Sequence, residues 1–159
     1  MSPQMAVENI KRFCGPLIGH TITRLQSAET RSLENEWYAD SGLPIRIFTQ
    51  SGALLAVSWS RFDDLWLNND ESLPCTIEAD RVRWVDDGLP GSTSCIGRKL
   101  RRVLLGKGQM SVENVELEIW TRLLFDLGER FLEISNALDA NDVEVHSAKP
   151  DGDFIDCLI

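Results

Sequence analysis

From Ile45 to Trp59 the chain alternates, with Ile45, Ile47 and Thr49 before Gln50-Ser51-Gly52 and Leu55, Val57 and Trp59 after it. A period of two belongs to a half-buried β-strand, and the polar break between the runs makes the pair a hairpin. The same period starts at Gly19, where Thr21, Thr23 and Leu25 oppose Ile22 and Arg24, and again where Lys99, Arg101 and Val103 oppose Leu100, Arg102 and Leu104. Gly106-Lys107-Gly108 then predicts a turn, Val115 to Phe125 a long strand, and Phe131 to Ile134 its partner across Leu127-Gly128-Glu129. Shorter strands are predicted at Thr76–Glu78, Arg81–Val85, Val143–His146 and Phe154–Ile159, while Glu36–Ala39 follows a loop and is given no element. Ser60 to Leu67 fits either a strand or a single capped turn. Glu29-Thr30-Arg31-Ser32, Asp40 to Pro44 and Asn68 to Pro74 read as loops. The N-terminus follows another period: Ser2-Pro3, then Met5, Ala6, Val7, Ile10, Phe13 and Cys14, predicts an amphipathic helix over about residues 3–14, stopped by Gly15-Pro16.

These patterns recur in order. Leu17-Ile18-Gly19-His20 through Leu25 reads against Cys95-Ile96-Gly97-Arg98 through Val103. Ile47-Phe48-Thr49 and Leu55 to Ser58 read against Leu124-Phe125-Asp126 and Leu132 to Ser135. A duplicated supersecondary unit has this form. The units span approximately 17–85 and 95–147, joined by the turn-rich Asp86-Asp87-Gly88-Leu89-Pro90-Gly91-Ser92. The expected fold is a β-dominated α+β domain, 1–159, in which two related antiparallel β units share one core beside a short N-terminal helix.

With 159 residues, 43% of them hydrophobic and 26% charged, the chain falls in the range of globular domains. It holds no apolar run of membrane-spanning length, and residues 1–16 lack the basic-then-apolar order of a secretory signal, so a cytoplasmic location is expected. The formal net charge of -9 argues against nucleic acid and anionic membrane as partners and favours a basic or polar protein. Cys14, Cys75, Cys95 and Cys157 are widely spaced and are expected as reduced thiols.

Candidate chemistry is sparse. Neither His20 nor His146 stands in a nucleophile or metal frame, and Asp139-Ala140-Asn141-Asp142 lacks the glycine and terminal glutamate of a calcium loop. Aspartate pairs read as solvated turns. The basic run Arg98-Lys99-Leu100-Arg101-Arg102 divides between two faces of a strand. No catalytic, cofactor-binding or metal-binding residue is therefore assigned. The five tryptophans change the picture, because Trp59, Trp66 and Trp84 each stand near aspartates, and aromatic anchors rimmed by charge mark protein interfaces. Trp59, Asp63, Asp64, Trp66, Asp70, Glu71, Trp84, Asp86 and Asp87 form the expected partner surface.

Ser135-Asn136-Ala137-Leu138-Asp139-Ala140-Asn141-Asp142 after Phe131-Leu132-Glu133-Ile134, with the earlier Ile18-Gly19-x-x-Ile22 opening, resembles small bacterial immunity proteins of polymorphic or contact-delivered, type VI-like toxin systems. The resemblance covers the β-rich repeat plan and implies a non-enzymatic protein that neutralises a cognate toxin by occluding its active site or substrate surface. A small-molecule-binding β domain and a regulatory or scaffold subunit are the alternatives. Homo-oligomers through free strand edges remain open.

Overall fold

The computed structural model describes residues 1–158. Its helix α1, Pro3–Cys14, begins as expected, with Ser2 Oγ accepting from the Met5 amide and a proline in the first turn. The strands are β1 (Ile22–Arg31), β2 (Trp37–Ala39), β3 (Ile45–Thr49), β4 (Leu54–Ser60), β5 (Asp64–Asn68), β6 (Val82–Asp86), β7 (Arg102–Val112), β8 (Val115–Asp126), β9 (Phe131–Asn136), β10 (Asn141–His146) and β11 (Phe154–Leu158). The expected last strand is present, and Ile159 lies outside the described residues.

Two antiparallel sheets result, with strand orders β6-β1-β3-β4-β5 and β11-β7-β8-β9-β10. Gln26 pairs with Arg46 on one side and Asp86 on the other, and Glu29 pairs with Ala39 and Arg83. Strands β2 and β3 thus share one edge of β1, and β6 takes the opposite edge. The second sheet has the same plan and runs past residue 147, because β11 occupies on β7 the place that β6 holds on β1. The inner faces meet in one core that includes Ile22, Leu25, Ile47, Val57, Leu105 and Phe125. Helix α1 lies against β5, β7 and β11, burying Ala6, Ile10 and Cys14.

The repeat is visible in hydrogen bonds as well as in strand order. Gly19 N–H donates to Leu100 O and Gly97 N–H to Ile22 O, each at 2.8 Å. Ile22 N–H donates to Arg98 O at 2.8 Å and Leu100 N–H to His20 O at 2.9 Å. Each bond maps onto its counterpart by the step that takes residue 19 to 97 and 22 to 100. Thr21 faces Lys99, its own counterpart, in the antiparallel bridge between them. This exchange is reciprocal because both glycines hold the same left-handed backbone, φ +83° and +84°, a conformation that disfavours a Cβ.

Several local expectations are corrected. Glu29-Thr30-Arg31 is not loop but the end of β1, where paired charges sit across strands, as in Arg83 Nε to Glu29 Oε1 at 2.6 Å. Thr76–Glu78 forms no strand. Gly106-Lys107-Gly108 does not turn: β7 passes straight through, and the turn comes at Glu113-Asn114, both at positive φ as in a type I′ hairpin. Here glycine serves close approach, since a Cβ on Gly106 would press on the Phe154 ring and one on Gly108 on the Thr121 hydroxyl. Asn141 is not a solvated turn residue. It is 6% exposed, accepts from Trp59 N–H at 2.7 Å, and donates to Leu43 O at 3.0 Å and Ser41 O at 3.1 Å.

Two stability measurements follow. Asn141→Ala strands several buried backbone groups and is expected to lower the urea unfolding free energy by about 2–4 kcal/mol with an unchanged m value. Gly97→Ala has open space for its methyl group, so its cost of roughly 1–2 kcal/mol comes from the backbone alone. A neutral result at Gly97 would show that the reciprocal exchange does not depend on the left-handed conformation.

Candidate functional site

Strands β5 and β6 lie on opposite edges of the first sheet, so residues 69–81 between them must cross it. They cross the outer face as a strap. Arg46, opposite in direction to the core residues Ile45 and Ile47, donates through Nη2 to Glu71 O at 3.1 Å, and its guanidinium lies 3.5 Å from the Trp84 ring centroid. Burial holds the Arg46 guanidinium below its ordinary range, partly offset by the Glu71 charge. Beside the strap, a pocket of about 250 Å³ is lined by residues including Ser58, Trp66, Pro74 and Cys75.

This geometry divides the surface expected from sequence. Trp59 is corrected outright: it is 1% exposed, on the inner face of β4, with its indole N–H donating to Ile134 O at 2.8 Å. Trp66 and Trp84 do occupy the outer face, but on the edge strands β5 and β6. Four strand spacings, about 19 Å, separate those edges. Asp63 and Asp64 lie at the β5 edge, 3.5 and 3.8 Å from the N-terminal ammonium of Met1. Asp86 lies at the β6 edge, where Arg24 at 2.7 Å holds its carboxyl below the usual range, with help from Gln26. Asp87 continues that edge, and Asp70 and Glu71 are exposed on the strap. The nine residues are therefore one core side chain, two separated rims, and two carboxylates on the strap that crosses between them.

The second sheet repeats the device. Residues 147–153 cross its outer face, Arg122 Nη1 donates to Asp151 O at 3.0 Å, and the Arg122 guanidinium lies 4.7 Å from the Phe154 ring centroid. Phe154 pairs with Gly106 as Trp84 pairs with Ala28, again one repeat step apart on β1 and β7. Beneath this strap, the Glu133 carboxylate accepts from Arg122 Nε at 2.7 Å and Nη2 at 3.1 Å, and lies 2.8 Å from His146 Nε2. Burial would raise the Glu133 carboxyl, but the hydrogen bonds from Arg122 and His146 outweigh it and leave it below the ordinary range. Glu133, Glu144 and His146 bring ligating atoms within 4.8 Å of one another. With both Glu133 oxygens held by the Arg122 fork, the cluster is a closed ion-pair network rather than a cation cradle.

The four cysteines are free; Cys14, Cys95 and Cys157 are buried, and Cys75 is exposed. Burial pushes the Cys157 thiol up to about 11 and the Cys14 thiol higher still, so neither is a thiolate nucleophile at neutral pH.

A feature that sequence reasoning did not single out is the outer half of the β7–β8 hairpin. Strand β11 ends on β7 at Gly106, and β9 ends on β8 at Arg122. Among the described residues, 107–120 therefore extend as a two-stranded arm with no third strand on either edge. Direct pairing places Gly108 with Ile119, Met110 with Leu117 and Val112 with Val115 on one face. The opposite face carries Lys107 with Trp120, Gln109 with Glu118 and Ser111 with Glu116. Val115 is 57% exposed and Leu117 41%. Alternation of Val115, Leu117 and Ile119 with Glu116 and Glu118 was the available signal, but the same signal describes any half-buried strand.

No family model, curated protein or solved structure matches the chain.

The Glu133 network carries a pH prediction. A carboxyl held below its unfolded value, near 4.5, contributes stability that is present above that pH and lost as pH falls through the folded value. Urea unfolding from about pH 6 to pH 3 should show this loss. Arg122→Met removes one of the two partners that outweigh burial at Glu133, leaving His146, and should weaken this group's contribution to the slope. An identical acid limb in both proteins would mean that Arg122 does not set the Glu133 ionisation.

Proposed function

We propose that this protein is a non-enzymatic binding protein of the immunity type, which neutralises a cognate toxin by covering its active site or substrate surface. The supporting observation is a contrast in how charge is used. The Arg122–Glu133–His146 cluster is closed on itself, whereas Asp70, Glu71, Asp87, Glu113, Glu116 and Glu118 are exposed and make no ion pair among the described residues. The excess acidity behind the net charge of -9 faces solvent. Such a field accelerates encounter with a basic protein, and apolar contacts then slow its release.

A second reading, binding of a small molecule, draws on the cavity of about 440 Å³ lined by residues including Lys107, Gln109, Glu118, Arg122 and Asp153. A metabolite seated there would raise the unfolding temperature of the native protein.

The test is capture by the tagged protein from its native host at low salt, followed by stopped-flow association with the captured protein. The expected result is one stoichiometric, basic partner whose association rate falls on the order of tenfold between low and physiological salt. An acidic partner, or a rate independent of salt, would overturn the electrostatic reading. Failure to capture any protein, together with thermal stabilisation by a metabolite pool, would replace it with the small-molecule reading.

A further inference from the structure

We propose that the β7–β8 arm, residues 107–120, is the docking element, and that its occupant is a partner protein with an apolar cleft rimmed by lysine or arginine. This inference rests on the binding reading above and names the part of the surface that carries it. Met110, Val112, Val115, Leu117 and Ile119 lie on one face of a ribbon that pairs with no third strand among the described residues; Val115 and Leu117 are exposed there and the other three half-buried. An isolated two-stranded ribbon is marginal in water, and a contiguous exposed apolar face is the usual mark of an interaction site.

The root of the arm is built, not frayed. Lys107 N–H donates to Asp153 O at 3.0 Å, Trp120 packs against the main core, and Thr121 is the extra residue of a bulge between the pairs Gly106–Arg122 and Lys107–Trp120. A bulge re-aims the strand it interrupts. The arm thus leaves the body at a set angle with its apolar face presented as a unit.

Charge decides among occupants. Beyond Lys107 at the root, the arm carries Glu113, Glu116 and Glu118 and no basic residue. A second copy carries the same acidic arm and the same net charge of -9, so its approach is opposed by like charge, whereas a basic protein is drawn in. A cleft that takes the ribbon between its walls satisfies both faces: Val115 and Leu117 meet its apolar floor, and Glu116 and Glu118, on the opposite face, meet the basic rim that closes over them.

The test replaces Leu117 with p-benzoylphenylalanine in one variant and Tyr38, an exposed residue of the other sheet, in another, with irradiation in the native host. A basic protein joined to the Leu117 position and not to the Tyr38 position is the expected adduct. Capture by the paired variant Val115→Ser/Leu117→Ser should fall at least about tenfold, with the unfolding temperature unchanged. Capture by Glu116→Lys/Glu118→Lys should fall similarly through slower association. A Leu117 adduct with a second copy of the chain, an adduct with an acidic protein, equal adducts from both positions, or no adduct would each overturn the arm as docking element. Capture of a basic partner that these variants leave unchanged would remove the arm and keep the binding reading. Loss of capture by the parent protein as well would remove both.

Discussion

The reciprocal backbone exchange around Thr21 and Lys99 is the constraint on which the rest of the architecture depends. Four hydrogen bonds join the entry of β1 to the entry of β7, and each has its counterpart one repeat step away. The exchange satisfies backbone groups of both segments, and unpaired backbone groups near a core are costly. The exchange therefore sets where the two sheets start relative to one another. Their inner faces then share one apolar interior, with Asn141 and the Trp59 indole tying β10 and β9 to the first sheet.

Because each sheet places its last strand on the edge opposite its neighbour in sequence, each must route a segment across its own outer face. Both segments are held the same way, by an arginine that donates to a strap carbonyl and stacks on an aromatic ring of the edge strand. The two arginines are not at equivalent positions, whereas Trp84 and Phe154 are. The aromatic ring is the retained element of the device, and the cation reaches it from whichever neighbouring position supplies one. Arginine suits this task because its planar group can stack and donate together.

The units differ most where the first is interrupted and the second is continuous. After β1 the chain turns early, forms β2, breaks at Asp40 to Pro44 and resumes as β3, and β6 covers the far edge of that ribbon. The corresponding part of the second unit runs unbroken to Glu113-Asn114, with no strand on either side among the described residues. The two sheets share one strand order, and this difference in one hairpin gives the second an arm with an apolar face. The acidic charge on the arm's opposite face and at its tip is what directs the proposal toward a basic partner.

Much of this was legible in sequence. The helix was read from its cap, proline and apolar spacing, the β3–β4 hairpin from its alternation, and the repeat from matched segments around Gly19 and Gly97. Those signals are local, set by backbone preference and by which side chains must leave water. What sequence left open was which face each strand shows to which neighbour. Trp59 and Trp66 look alike as aromatic residues near aspartates, yet one fills the core and the other lies on the outer face. Gly106 and Gly108 look like a turn until the Phe154 ring and Thr121 press on them. Asn141 looks solvated until the first sheet supplies its partners. Each of these outcomes depends on residues distant in the chain, so period and propensity determined the elements, while tertiary packing alone decided which surfaces remained free.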